Sequence, residues 1–177
     1  SSIAQAGYVL MAVAVVNISE LGLTAVLFYL AAYLFMNLGA FAVIAHLEKE
    51  RGNDSREHLL GLGESSPLLA FVFTIFILSL AGIPPFAGFI GKILLLTPVL
   101  EAGFWWLALI GIINMVISLY YYVMLISDMY LKKGPERSLL PPSWYAILAL
   151  LITGIATILF GILPQTLLMT KALLTSI

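Results

Sequence analysis

The chain has 177 residues, of which 62% are hydrophobic and only 10% are charged, with a net charge of −1 and no cysteine. Soluble domains carry about a quarter charged residues, so this composition excludes a soluble domain and indicates an integral membrane protein. Without cysteine the chain has no disulfide, thiolate metal site or iron–sulfur cluster. Its nearly neutral charge gives no basic surface for nucleic acid.

The charged residues divide the chain into long apolar stretches. Uncharged runs cover 1–19, 21–47, 65–91, 102–127 and 138–170. A helix needs about 20 apolar residues to cross a hydrocarbon core about 30 Å thick, and each run is long enough, the first only just. Short loops rich in charges or turn formers separate the runs, and we interpret them as solvated connectors. No change of composition marks a second domain, so 1–177 is predicted to be a single membrane domain.

The third apolar stretch is interrupted by Gly82-Ile-Pro84-Pro85. Proline lacks a backbone donor and clashes with the preceding helical turn, so this stretch is either a hairpin of two spans or one broken span. The two arms, 67–80 and 86–100, would be helices about 21–23 Å long. Neither crosses a bilayer alone, which favours one broken span.

The loop charges separate the same alternatives. With two spans in this stretch, four of the loop lysines and arginines lie on one side of the membrane and three on the other, so they do not define its orientation. With one broken span, six lie on one side of the membrane and only Lys171 lies on the other. The six are Lys49, Arg51, Arg56, Lys132, Lys133 and Arg137. By the positive-inside rule, loops 48–66 and 131–142 are then cytoplasmic.

We therefore predict an all-α integral membrane fold with about five transmembrane helices, the third of them broken. The predicted spans are 3–18, 21–47, 67–100, 104–130 and 143–163. Broken helices at membrane depth leave backbone groups that must be buried in protein or line a wet cavity, and in transporters they mark the ion or substrate site. The alternative is a packing kink.

Lys92 is the one lysine or arginine inside a predicted span. A lysine near the bilayer centre costs about 2.5–3.5 kcal/mol unless its ammonium faces the bundle interior, water or a partner. Gly88, one turn earlier, should leave space beside the amine, and Gly91 should let a neighbouring helix approach. A desolvated amine gives up its proton more readily, so we predict that Lys92 is a proton relay. The alternative is a structural lysine paired with an acid or a backbone carbonyl.

Other polar residues in the spans are weaker candidates for a water-filled proton path. They are Gln5, Asn37, Asn114 and Ser118, which could equally form interhelical hydrogen bonds. His46, at the end of the second span, is interpreted first as an interfacial residue and second as a relay. Tyr120, Tyr121 and Tyr122 are interpreted as interfacial anchors. No metal site and no cofactor is predicted in this chain.

Three blocks of sequence carry a family resemblance. They are Ser1–Tyr8, Phe28–Ile44 with Asn-Leu-Gly-Ala-Phe-Ala-Val-Ile at its end, and Leu78–Lys92 with Ser-Leu-Ala-Gly-Ile-Pro-Pro. They resemble the N subunits of proton-pumping NADH:quinone oxidoreductase (respiratory complex I), which are antiporter-like, and the match continues in order along essentially the whole chain.

The resemblance implies a fold of fourteen helices containing two inverted five-helix repeats, each with one broken helix. This chain is similar to the last five helices, with 67–100 as the second broken helix. Lys92 then corresponds to the essential lysine of the half-channel facing the periplasm or intermembrane space, and Gln5 stands where many relatives have histidine. The family's first nine helices are absent, with their glutamate–lysine pair and central lysine, so we expect part of a longer subunit or a split subunit.

The function implied by the resemblance is that of a non-redox, proton-translocating subunit of the oxidoreductase. Its expected partners are other membrane subunits, including antiporter-like siblings, and the lipid bilayer. The expected location is the bacterial plasma membrane or an equivalent energy-transducing membrane. Two alternatives stay open: a subunit of a multi-subunit cation/proton antiporter, and a structural bundle without its own proton path.

Overall fold

The computed structural model describes residues 1–19, 21–51, 56–134 and 143–163, and all regular structure in these ranges is helical. The helices are α1 (Ser2–Val13), α2 (Gly22–Arg51), a 3₁₀ turn (Arg56–Leu59), α3 (Leu62–Ser65), α4 (Pro67–Ala81), α5 (Ala87–Glu101), α6 (Trp105–Leu131) and α7 (Trp144–Ile162). Arg137 and Lys171, which entered the charge count, lie outside the described residues, as do 52–55 and 135–142 of the two predicted cytoplasmic loops.

Three of the described helices are long and apolar enough to cross a membrane: α2 over Gly22–Lys49, α6 and α7. Helices α1 and α4 are shorter apolar helices. The chain is therefore an integral membrane protein, as its composition predicts. Exposed apolar side chains cover the outer faces of α6 and α7, where Ile113, Ile117, Leu151 and Ile155 project away from the bundle.

The first predicted span differs from the observed helix. Helix α1 ends at Val13 rather than at residue 18, and the backbone continues in turns. There the amides of Val15 and Val16 donate to the carbonyls three residues earlier, those of Ala12 and Val13, as in a 3₁₀ helix. Closely spaced β-branched valines have low helix propensity, which accounts for the early end. Helix α2, by contrast, continues past the predicted end at residue 47 as far as Arg51.

Helices α4 and α5 form one broken span. Helix α4 packs on α2 from its middle onward, where Ser79 Oγ lies 3.3 Å from Met36 Sδ and the Phe76 ring lies against Gly39. Helix α5 packs on the first half of α2, where Gly91 faces the ring of Tyr29. The two arms therefore lie end to end along α2, which confirms the broken span and excludes the hairpin.

The two ends of the bundle differ in charge. At one end, Asp128 near the end of α6 pairs with Arg56 (Nε–Oδ2 2.5 Å) and with Lys132 (Nζ–Oδ1 2.7 Å). We call this the Asp128 end. At the other, the Glu101 end, Ser19 Oγ donates to Glu101 Oε2 at 2.6 Å. The described parts of both predicted cytoplasmic loops lie together at the Asp128 end.

These loops are more than solvated connectors. The side chain of Asp128 is only 2% exposed, and its two cationic partners come from the segments on either side of α3–α6. Gly134 also packs closely on the backbone of Leu60 and Gly61. Arg56 and Lys132 are half exposed, as expected of solvated connectors, and their ion pairs with the buried carboxylate also hold both segments against the bundle.

Candidate functional site

The site begins at the end of α4. Gly82 adopts φ 85° and ψ 43°, a left-handed conformation that suits glycine and ends the helix. The amide of Ile83 then returns to the Leu78 carbonyl at 3.0 Å. In a continued helix, the carbonyls of Leu80 and Ala81 would accept from residues 84 and 85. Both of those residues are prolines without an N–H group, so two carbonyls at membrane depth need another donor.

The donor is Lys92 on α5. Its Nζ donates to the Leu80 carbonyl at 2.8 Å and to the Ala81 carbonyl at 3.1 Å. The residue is 2% exposed. Its side chain passes against Gly82, where an added Cβ would lie 3.0 Å from Lys92 Cδ. The ammonium thus replaces the helix donors that the two prolines lack.

The partners of Lys92 are neutral. Besides the two carbonyls, the ring of Tyr8 lies beneath the ammonium, with its centroid 5.2 Å from Nζ. Such a contact attracts a cation to the negative face of the ring. Within the described part of the chain, no carboxylate forms an ion pair with Lys92. Of the structural alternatives considered for this lysine, the geometry matches pairing with backbone carbonyls.

Gln5 is joined to the same site. Its Nε2 donates to the Leu80 carbonyl at 3.1 Å and to the Tyr122 hydroxyl at 3.3 Å. The Tyr29 hydroxyl donates to Gln5 Oε1, and Ser1 Oγ hydrogen bonds with the Tyr122 hydroxyl. We call Ser1, Gln5, Tyr29 and Tyr122 the Gln5 network. It connects α1, α2 and α6 at the level of the break.

The two glycines near Lys92 bring helices together. Gly88 donates its amide to Ser79 Oγ at 3.1 Å, and an added Cβ would strike the Ser79 carbonyl oxygen. At Gly91 an added Cβ would lie 2.7 Å from the Tyr29 ring. The space expected beside the amine at Gly88 is therefore filled by the backbone of α4, because the two arms cross closely there.

The remaining polar candidates fall into two groups. Asn114 and Ser118 on α6 face the hydroxyl of Tyr8. That hydroxyl is buried and makes no direct hydrogen bond within the described residues. Asn37 and His46 lie on α2 about 12 and 25 Å beyond Tyr29 along the helix axis, so the structure does not bring them to Lys92.

Sequence reasoning missed the tyrosines of the site. Tyr122 was interpreted as an interfacial anchor, and this is wrong, because it is 3% exposed and belongs to the Gln5 network. Tyr8 and Tyr29 lie in the interiors of apolar runs, where a hydroxyl needs a hydrogen-bond partner. Their position in the sequence could therefore have identified them as candidate site residues. The described residues contain no group of three or more acidic or histidine side chains placed to hold a metal.

Comparison with known proteins assigns the family. Residues 1–118 match the NADH:quinone oxidoreductase/Mrp antiporter transmembrane family. The chain is 41% identical to the NADH-quinone oxidoreductase subunit N of Desulfitobacterium hafniense, over 94% of this chain and 36% of the relative. It is 47% identical to subunit N 2 of Chloroherpeton thalassium, over 78% of this chain and 27% of the relative. The chain thus spans about a third of the length of the curated relatives it matches.

Solved structures share the fold. A chain of respiratory complex I from Thermus thermophilus with bound aureothin superposes with a TM-score of 0.71 at 30% identity, covering 92% of this chain and 36% of that chain. A chain of the Mrp complex from Dietzia sp. DQ12-45-1b gives a TM-score of 0.80 at 24% identity, covering 94% and 39%, and this likeness concerns the fold alone. The chain belongs to the NADH:quinone oxidoreductase/Mrp antiporter transmembrane family.

Proposed function

We propose that this chain is part of a proton-translocating membrane subunit of a respiratory NADH:quinone oxidoreductase, and that Lys92 carries the proton. One observation carries the proposal: a buried ammonium at a helix break has only neutral partners, the carbonyls of Leu80 and Ala81 and the ring of Tyr8. A carboxylate partner would hold the amine in its charged form. Neutral partners allow it to lose and regain a proton.

The hydrogen-bond geometry suits both protonation states of Lys92. An ammonium has three N–H donors, and the two carbonyls accept two of them. When the third proton leaves, the neutral amine retains two N–H groups for the same carbonyls. The helix break therefore stays satisfied through a cycle of proton release and uptake.

The chain has a non-redox role in this proposal. Redox energy released elsewhere in the complex changes the hydration and electrostatics around Lys92, which then exchanges its proton. The similarity to subunits N supports this assignment. Other membrane subunits, including antiporter-like siblings, would cover part of the exposed apolar faces of α6 and α7, and lipid would cover the rest.

The orientation follows from the charged end of the bundle. Arg56 and Lys132 both lie at the Asp128 end, which we place on the cytoplasmic side of a bacterial plasma membrane or an equivalent energy-transducing membrane. Lys92 then exchanges protons with the opposite side through the Glu101 half of the bundle.

The test uses the complete complex reconstituted in vesicles. Lys92→Ala and Lys92→Arg should assemble, and both should lower the number of protons pumped per NADH oxidised, because alanine carries no proton and arginine does not release one. Lys133→Ala, which removes an exposed lysine, is the matched control and should pump normally. If Lys92→Ala assembles and pumps like the unmodified complex, the proposal is wrong and a structural bundle is favoured.

A cation/proton antiporter subunit is the second candidate, favoured by the matched family, which includes Mrp antiporter chains as well as NADH:quinone oxidoreductase chains. Sodium-dependent proton movement in vesicles without NADH would support it. Proton pumping that requires NADH and quinone and is indifferent to sodium would support the oxidoreductase.

A further inference from the structure

Tyr8 contacts the site with two different parts of its side chain. Its ring face lies under the Lys92 ammonium, with 5.2 Å between Nζ and the centroid. Its hydroxyl faces Asn114 and Ser118 of α6. The hydroxyl is buried and has no direct hydrogen-bond partner in the part of the chain that the structure describes. Buried polar groups in this position commonly bind ordered water, which here would have three polar neighbours.

Open space lies next to Tyr8 and Asn114. A groove of about 430 Å³ lies between α1 and α6, with Tyr8 and Asn114 in its wall. Gly7 leaves it open, since nothing lies within 4 Å of where a Cβ on Gly7 would be, whereas Met11 packs against Gly111 on the opposite wall. The rest of the lining is apolar. Water is therefore expected at the polar part of the groove, beside the Asn114 side chain that faces the tyrosine hydroxyl.

The direction of the groove distinguishes it from the Gln5 network. Helix α1 starts at the break, where Gln5 meets Leu80, and runs toward the Glu101 end, where Val15 packs with Val99. Tyr8 lies about one turn beyond Gln5 in that direction. On α6, Asn114 lies about two turns from Tyr122 in the same direction, because α6 begins at the Glu101 end. A step from Lys92 past Tyr8 to Asn114 therefore leads away from the Asp128 end.

We propose that Tyr8 positions the outward proton step from Lys92, with its ring face holding the ammonium and its hydroxyl, together with Asn114 and Ser118, holding the water that receives the proton. The N–H bond that serves neither carbonyl breaks, and its proton forms an O–H bond with that water. The amine remains neutral, and the extra proton passes along the groove toward the Glu101 end. This inference rests on the proposed function of Lys92.

The experiment separates the ring from the hydroxyl in the complete complex in vesicles. Tyr8→Phe keeps the ring and removes the hydroxyl, whereas Tyr8→Leu removes both. We expect Tyr8→Phe and Asn114→Leu to lower the ratio of protons pumped to NADH oxidised as far as Lys92→Ala does, with the complex still assembled. Tyr33→Phe, on the stacked partner of Tyr29, is the matched control and should keep the ratio.

The outcomes distinguish this inference from the function on which it rests. If Lys92→Ala lowers the ratio and Tyr8→Phe keeps it, the hydroxyl step is wrong and the role of Lys92 stands. If Tyr8→Phe lowers assembly and NADH oxidation while the ratio of the assembled complex is unchanged, Tyr8 is only structural and the inference is also wrong. If Lys92→Ala itself leaves the ratio unchanged, the proposed function fails first.

Discussion

Gln5 and Lys92 donate to the same atom, the carbonyl oxygen of Leu80, at 3.1 Å and 2.8 Å. The amide nitrogen and the amine are therefore within about 6 Å of each other. An amide cannot titrate, so Gln5 fixes the position of the shared carbonyl without adding a charge beside the amine. The lysine keeps a buried environment whose protein partners are neutral.

Replacing Gln5 by glutamate is expected to impair pumping. Gln5→Glu keeps the shape of the side chain but places a carboxylate within reach of the Lys92 ammonium. The charged form of the lysine is then stabilised, and proton release slows. We expect fewer protons pumped per NADH oxidised, with assembly retained. Gln5→Met, which removes the amide without adding charge, should reduce pumping less. Equal pumping by both variants would contradict the argument.

The left-handed glycine at the break allows a matched comparison. Gly82 and Gly103 have φ of 85° and 82°, and a side chain in this conformation costs about 1–2 kcal/mol. Only at Gly82 does an added Cβ meet the Lys92 side chain, whereas nothing lies within 4 Å at Gly103. Gly82→Ala and Gly103→Ala should therefore lower the thermal stability of the purified complex by similar amounts. Only Gly82→Ala should lower pumping. If Gly103→Ala lowers pumping as well, the contact between the alanine side chain and Lys92 is not the cause.

The broken span and the placement of both loops at one end of the bundle could be predicted, because apolar length and loop charge are properties of the sequence alone. The burial of individual aromatic side chains could not be predicted from the sequence. Tyr120 is 71% exposed and Tyr122 only 3% exposed, although both belong to one run of tyrosines on α6. Their burial depends on how α6 is rotated against α1 and α2, and an apolar helix carries little periodicity to reveal that rotation.

The partners of Lys92 were partly predictable. Two prolines in sequence remove the donors of the carbonyls four residues earlier, so the positions of Leu80 and Ala81 follow from helix geometry. What the sequence does not contain is the distance between the two arms. The Ser79 backbone occupies the place beside Gly88, and only the crossing of α4 and α5 determines that contact.

The close crossing of α4 and α5 predicts an order of effects for glycine substitutions. At Gly88 an added Cβ strikes the backbone oxygen of Ser79, which cannot rotate away, whereas at Gly91 it meets the edge of the Tyr29 ring at 2.7 Å. Gly88→Ala should therefore reduce assembly more than Gly91→Ala. Gly154→Ala in α7, where only Phe76 Cζ lies nearby at 3.9 Å, should be neutral or stabilising by up to about 1 kcal/mol. The amount of intact complex after detergent extraction measures all three, and a tolerated Gly88→Ala would contradict the close crossing.

The Asp128 end gives a prediction for stability. The carboxylate is buried, while Arg56 and Lys132 are 50% and 55% exposed. Removing one partner of a fully buried pair costs about 3–5 kcal/mol, so half-exposed partners reduce the expected loss for Asp128→Asn to about 1–3 kcal/mol. Lys132→Ala should cost less, about 0.2–1 kcal/mol, because Arg56 still neutralises the carboxylate. The midpoint of thermal unfolding of the purified complex checks both values, with the neighbouring exposed Lys133→Ala as the control. If Lys132→Ala destabilises the complex as much as Asp128→Asn, Arg56 does not hold the carboxylate by itself and the structural assignment of this cluster is wrong.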